Sequence, residues 1–179
     1  MGILKIARMG HPVLSSSSKR VEDPTAPDIK KLISDMVETM EDAPGIGLAA
    51  PQVHQPLRIV VFKVPELRVT EKKQAVSLTV LINPVIEVLS EDTEKGIEGC
   101  LSLPGMSGVV PRFSHIGYYG VDTSGKKIER EARDFHARVV QHECDHLDGV
   151  LYPMRMTDLS SFGFVEEMEK QNQNRLMRK

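Results

Sequence analysis

The sequence predicts an α+β domain in which short antiparallel strands pack around a central metal-binding helix. Three observations carry this expectation. The segment Gln141-His142-Glu143-Cys144-Asp145-His146-Leu147 holds His-Glu-x-x-His in a helical context. A second segment, residues 28–42, has one apolar stripe and must lie against something. Most of the chain between them is rich in Val and Ile and broken by turn residues, which reads as strand. The 179 residues fit one domain, 1–179, around its own core.

In chain order, Ile29, Leu32, Ile33, Met36, Val37 and Met40 recur at helical spacing, with Pro27 before them and Pro44-Gly45 after. Leu57 to Val64 reads as a strand, as does Val76 to Leu81 running on through Pro84 to Leu89. Glu66 to Gln74 is polar enough for an exposed hairpin tip. His115 to Val121 and Lys126 to Arg130 flank Asp122-Thr123-Ser124-Gly125, a β-hairpin pattern. A helix from about Asp134 to Leu147 carries the His pair and ends at Gly149. A last helix is expected from about Asp158 through residue 172.

On the helix, His142 and His146 are one turn apart on one face and can offer two imidazole nitrogens to one ion. Glu143 lies about 100° round from His142, near a metal without having to ligate it. That suits a general base acting on water activated by the ion, and hence metal-assisted hydrolysis. Phe135 and Val139 share the stripe of the two His residues, so the site should be a partly dry pocket. Composition excludes other classes. At 40% hydrophobic, 27% charged and net charge -2, nothing favours nucleic acid or anionic lipid. No apolar run approaches the roughly 18–20 residues that span a bilayer, and the first residues lack a signal-peptide core, so a cytoplasmic location is expected.

A catalytic site needs a third protein ligand and an open position. The metzincin extension fails because Tyr152 stands where its third His belongs. A thermolysin-like arrangement would use Glu166, Glu167 or Glu169. The other candidate is Cys100, in Glu98-Gly99-Cys100-Leu101-Ser102, where Gly99 permits close backbone approach; a buried core thiol is its plain structural reading. Cys144 is about 200° from His142, so it points away from the metal face and into the core. On spacing alone, Cys100 and the downstream Glu residues both stay open. Gly45-Ile46-Gly47-Leu48-Ala49-Ala50-Pro51-Gln52 lacks the Lys and Ser/Thr of a phosphate loop. It reads either as a tight turn into a packed strand or as a wall of small residues that lets backbone approach a ligand, with Gln52 offering an amide donor.

Together, Gly45 to Gln52, Glu98 to Ser102 and Gln141 to Leu147 resemble the three motifs of the peptide deformylase family, in the same order and across nearly the whole chain. The resemblance implies one divalent metal ion held by Cys100, His142 and His146. It implies Fe(II) natively, with Zn, Ni or Co able to replace it. The implied reaction is hydrolysis of the N-formyl group of a nascent formyl-Met peptide, releasing formate. Glu143 would be the proton carrier, and Gln52 and the Leu101 backbone N–H, with the metal, would hold the oxyanion. Ile46, Gly47 and Gly99 would pair with the peptide backbone, and Val139 would line the slot for the Met side chain.

The chain also departs from the family pattern. Ser107 stands where many bacterial members have Arg, and Arg138 where many have an apolar residue beside the pocket, while Arg112 matches. Met156 to Phe162 resembles a branch with organellar as well as bacterial members; with no transit peptide visible, the bacterial-type cytoplasmic reading is kept. The basic C-terminal residues Lys170, Arg175, Arg178 and Lys179 could make a weak ribosome contact, as in some members, although a solvated tail is the simpler reading. Two other functions are weighed against this one: an endopeptidase with a downstream Glu ligand, and a non-catalytic formyl-peptide or metal-binding protein.

Overall fold

The computed structural model describes residues 2–68 and 75–176, the side chains of residues 171–176 excepted. Helix α1 spans Pro27–Asp42 and α2 spans Asp134–Leu147. Between them lie β1 (Gly47–Ala49), β2 (Ile59–Val64), β3 (Val76–Val88), β4 (Thr93–Cys100), β5 (Leu103–Phe113), β6 (His115–Val121) and β7 (Lys127–Arg133). A two-residue strand β8 (Gly163–Phe164) leads into α3 (Val165–Leu176). The strands form an antiparallel five-stranded sheet in the order β1-β2-β3-β6-β7 and a three-stranded sheet in the order β4-β5-β8.

The five-stranded sheet is covered on both faces, and β2 shows why. Val60 and Phe62 point to α2, packing with Ala137, Val140, Cys144 and Leu147. Ile59 and Val61 point the other way, to Ile29, Ile33, Met36 and Met40 of α1. A strand buried on both faces reads as a continuous apolar run, which Ile59 to Val64 is. Each such fully buried side chain contributes about 1.5–3 kcal/mol. The apolar stripe of α1 thus finds its partner, and α2 lies at the centre as expected. A third cluster, with Leu14, Leu103, Val110, Leu151 and Tyr152, joins the smaller sheet to the segments around it.

The expected elements recur with local corrections. β3 runs through Pro84, but its pairing with β6 shifts between Ile82 and Val85, where Asn83 has φ 54° and its side chain bonds both ways with the Val21 backbone. Of the expected tip at Glu66 to Gln74, Glu66–Arg68 form a single 3-10 turn and residues 69–74 lie outside the described residues. The last helix starts at Val165, not Asp158. The Asp158 carboxylate accepts from the Ser160 backbone and hydroxyl to make a separate turn, and Ser107 pairs with Gly163, so the chain extends before it coils. The β4–β5 hairpin goes beyond the sequence reading. Its glycines and prolines (Gly96, Gly99, Pro104, Gly105, Gly108, Pro111) interrupt the alternation that marks a strand. No helix among the described residues is long and apolar enough to cross a membrane.

Candidate metal centre

Three elements bring the site together. The first turn of chain after β1 carries Gln52, the tight end of the β4–β5 hairpin carries Cys100, and α2 carries His142, Glu143 and His146. The ligand atoms of Cys100, His142 and His146 all lie within 4.8 Å of one another. Cys100 Sγ is 3.3 Å from His146 Nε2. A thiol and two imidazoles are a donor set for a borderline or soft divalent ion, and three protein ligands are what a catalytic centre needs. The downstream acids are not brought to this centre: Glu166 and Glu167 pair with Lys170 on exposed α3. Cys144 sits in the core, where burial pushes its thiol well up.

Second partners orient the candidate ligands. His142 Nδ1 is 2.8 Å from Glu98 Oε2, which leaves Nε2 for an ion, and the Tyr152 ring stacks on the imidazole at 6.1 Å and 22°. Tyr152, which breaks the metzincin pattern, is therefore a buried cover for the first His. Glu98 takes both guanidinium edges it can reach: Arg112 Nε and Nη2 each donate at 2.9 Å, and Arg138 Nη1 donates at 2.9 Å. Arg112 donates onward to Asp145 at 2.5 Å, and Arg155 donates to the same carboxylate at 2.7 Å. Burial pushes the Glu98 carboxyl up, but the bonds from His142 and Arg112 and the Arg112 charge outweigh it and hold it at about 2. Burial lowers both imidazoles. It prevails at His146, whereas Cys100 and Glu98 raise His142 well above its usual range, so the surroundings of this ring favour positive charge.

Glu143 is buried, and its Oε2 has no hydrogen-bond partner. Burial, with the Glu98 charge adding, raises its carboxyl to about 7 against the pull of His142 and Arg112. Gly47 makes the room for it, since a Cβ there would overlap the Glu143 carboxylate. Gln52 is fixed by accepting from the Ala49 N–H at 2.8 Å, so its Nε2 faces Ser102 Oγ at 3.2 Å and Cys100 Sγ at 3.4 Å. A cavity of about 520 Å³ opens above. Ile46, Gly47, Gln52, Gly99, Cys100, Leu101, Val139, His142 and Glu143 all line it, while His146 is buried behind them. A Cβ at Gly99 would meet Met106 O at 3.5 Å, ordinary contact, so packing within the chain does not require glycine there.

Sequence reasoning passed over Glu98 and Asp145, whose signal was their place inside the motifs, next to Gly99-Cys100 and His146. Arg138, flagged as a departure, lines the cavity, but its guanidinium is engaged with polar partners. Besides Glu98 it donates to the carbonyls of Glu94 at 2.6 Å and Val110 at 2.7 Å. Ser107 is buried in β5 against β8, with its hydroxyl 3.8 Å from Met168 Sδ.

Three donors able to hold a cation, with a buried free carboxylate and an oriented amide at the floor of an open cavity, fit a metal-dependent hydrolase. The polypeptide deformylase family model matches residues 3–162. Peptide deformylase 1 of Bordetella pertussis is 52% identical over 161 residues, covering 90% of this chain and 92% of that protein. Peptide deformylase 1 of Nitrosomonas europaea is 46% identical over 166 residues, covering 93% and 94%. Among solved structures, peptide deformylase from Ehrlichia chaffeensis in complex with actinonin superposes with a TM-score of 0.82 at 35% identity, over 90% of this chain and 92% of that one. Peptide deformylase from Thermotoga maritima gives 0.79 at 36%, over 87% and 99%. The chain belongs to the polypeptide deformylase family, hydrolases that remove the N-formyl group from nascent peptides.

Proposed function

We propose that residues 1–179 act as one catalytic domain in which Cys100, His142 and His146 hold a divalent ion, Fe(II) in the cell, for deformylation of formyl-Met peptides in the cytoplasm. The convergence of the three donors beside the unpartnered Glu143 carboxylate carries this reading. The donor set equally admits Zn, Ni or Co. Such an ion supplies Lewis acidity toward the attacking water and the formyl oxygen.

The chain's own groups do the rest. Glu143 takes a proton from the attacking water and delivers it to the amine as the formyl C–N bond breaks, leaving formate and a free N-terminal Met. The Gln52 side-chain amide and the Leu101 backbone N–H donate to the formyl oxygen as its charge grows. Glu98 holds the His142 ring in one orientation and one tautomer. The peptide lies extended along Ile46–Gly47 and Gly99 as an added strand, and its Met side chain lies against Val139. A ribosome contact through the basic C-terminal residues would be weak and plays no part in the chemistry.

The test is formate release from a short formyl-Met peptide, using protein purified without oxygen and assayed for bound ion. Formate in proportion to bound ion is expected. Glu143→Ala should keep the ion and lose about 10²–10⁴-fold in turnover, and Cys100→Ser should weaken binding of a soft ion. A filled site without formate, or a Glu143→Ala variant with most of its activity, would overturn the assignment.

A further inference from the structure

We infer that Arg68 makes this site selective for an acidic side chain at the third residue of the formyl peptide. The inference rests on the deformylase reading and on the extended peptide pose above. Arg68 ends the short turn after β2 and lines the cavity mouth. Of the described charged residues lining the cavity, Glu98, Arg138 and Glu143 are buried, and Arg68 alone is exposed. Glu98 and Arg138 are also spent on each other. Arg68 has no carboxylate within ion-pair distance among the described residues; its guanidinium carbon sits 5.9 Å from the centroid of the Phe135 ring. A cation over an aromatic face is held in place while its N–H groups stay free for an anion.

Register brings the third residue to it. Phe135, Val139 and His142 climb one stripe of α2, and seven residues of helix place Phe135 about 10 Å from His142 along the axis. In an extended peptide, side chains one and three share a face about 7 Å apart, and side chain two faces away. With the Met side chain against Val139, the third side chain comes to the Phe135 and Arg68 end of the stripe. Among the described residues, the other exposed ones lining the cavity, Pro44, Ile97, Gly99, Pro104, Gly105 and Val165, carry no charge.

The experiment compares kcat/KM for amidated formyl-Met-Ala-Glu, formyl-Met-Ala-Ala and formyl-Met-Ala-Lys on the metal-loaded enzyme. Exposed ion pairs are weak, so Glu should exceed Lys by about three- to tenfold, with Ala between. About 0.5 M salt should shrink the ratio, because both charges face solvent. Arg68→Ala should flatten the ratio and Arg68→Glu should invert it, an inversion that misfolding cannot produce. Moving the acid to the second residue should remove most of the preference. Equal rates for the three peptides, or a preference that survives Arg68→Glu, would overturn the inference. No turnover of any formyl peptide would instead overturn the deformylase reading and this one with it.

Discussion

Glu98 is the residue on which the site's electrostatics turn. It is one residue from Gly99 and two from Cys100 in the chain, yet it serves α2: one carboxylate binds His142, Arg112 and Arg138 at once. Buried ion pairs of this kind add little net stability when intact, but removing one partner strands the others. Glu98→Gln should therefore cost about 3–5 kcal/mol in unfolding free energy, because buried Arg138 loses its counter-charge and Arg112 keeps only Asp145. It should also weaken metal binding by about 10–100-fold, because the His142 ring loses its orienting acceptor. Denaturant unfolding and a metal titration check the two effects separately. Unchanged metal affinity would leave Glu98 a structural anchor with no role toward His142.

At the scale of elements, the site depends on how closely β1 approaches α2. Gly47 pairs with Phe62 in the sheet while its missing side chain leaves the volume that the Glu143 carboxylate fills. Gly47→Ala should push the strand and helix apart or turn Glu143 out of place, lowering kcat by more than about tenfold, since small displacements of a catalytic group carry large rate penalties. Gly99→Ala is the control on the facing element. Its Cβ would make only ordinary contact, so the melting temperature should stay within about 3 °C of the parent. If Gly47→Ala were as active as the parent, the close approach would be incidental. The same packing explains what the chain concealed. The β4–β5 hairpin holds Cys100 and Glu98 to α2 through Arg112 and Arg138, and such pairings over 28–46 residues of sequence separation leave no local periodicity to read.

Across the whole molecule, acid sensitivity follows from a histidine outside the candidate metal centre. His136 lies on α2 against the sheet, 3.1 Å from the Tyr118 hydroxyl and beside Phe62. Burial, helped by the Arg130 charge, lowers it from 6.5 to about 4. Above pH 6.5 it is neutral in both folded and unfolded chains. Between 6.5 and 4 the unfolded chain takes the proton and the folded one does not, so stability is lost as pH falls through that window. The loss from this group across that window is about 3 kcal/mol. Chemical unfolding at pH 7 and at pH 4.5 should show it, and His136→Gln should flatten the slope whatever it does to the absolute stability. A slope identical in the variant would assign the acid sensitivity elsewhere.

By itself, the sequence determined the class of fold, the central helix with His142 and His146 on one face, and the apolar α1 stripe, because each is a local repeat whose period equals the geometry of its element. The three motifs together also carried the family. What only the tertiary structure decided is which distant groups converge. Cys100 rather than Glu166 or Glu167 reaches the His pair, because the hairpin end folds onto α2 while α3 stays at the surface. Arg138 directs its guanidinium to Glu98 and to two carbonyls, because a buried guanidinium goes where carboxylate and carbonyl acceptors are. Gly47 proves necessary for space and Gly99 does not, since steric room depends on neighbours far along the chain. Periodicity is written residue by residue; convergence is set by how the sheets close around the helix.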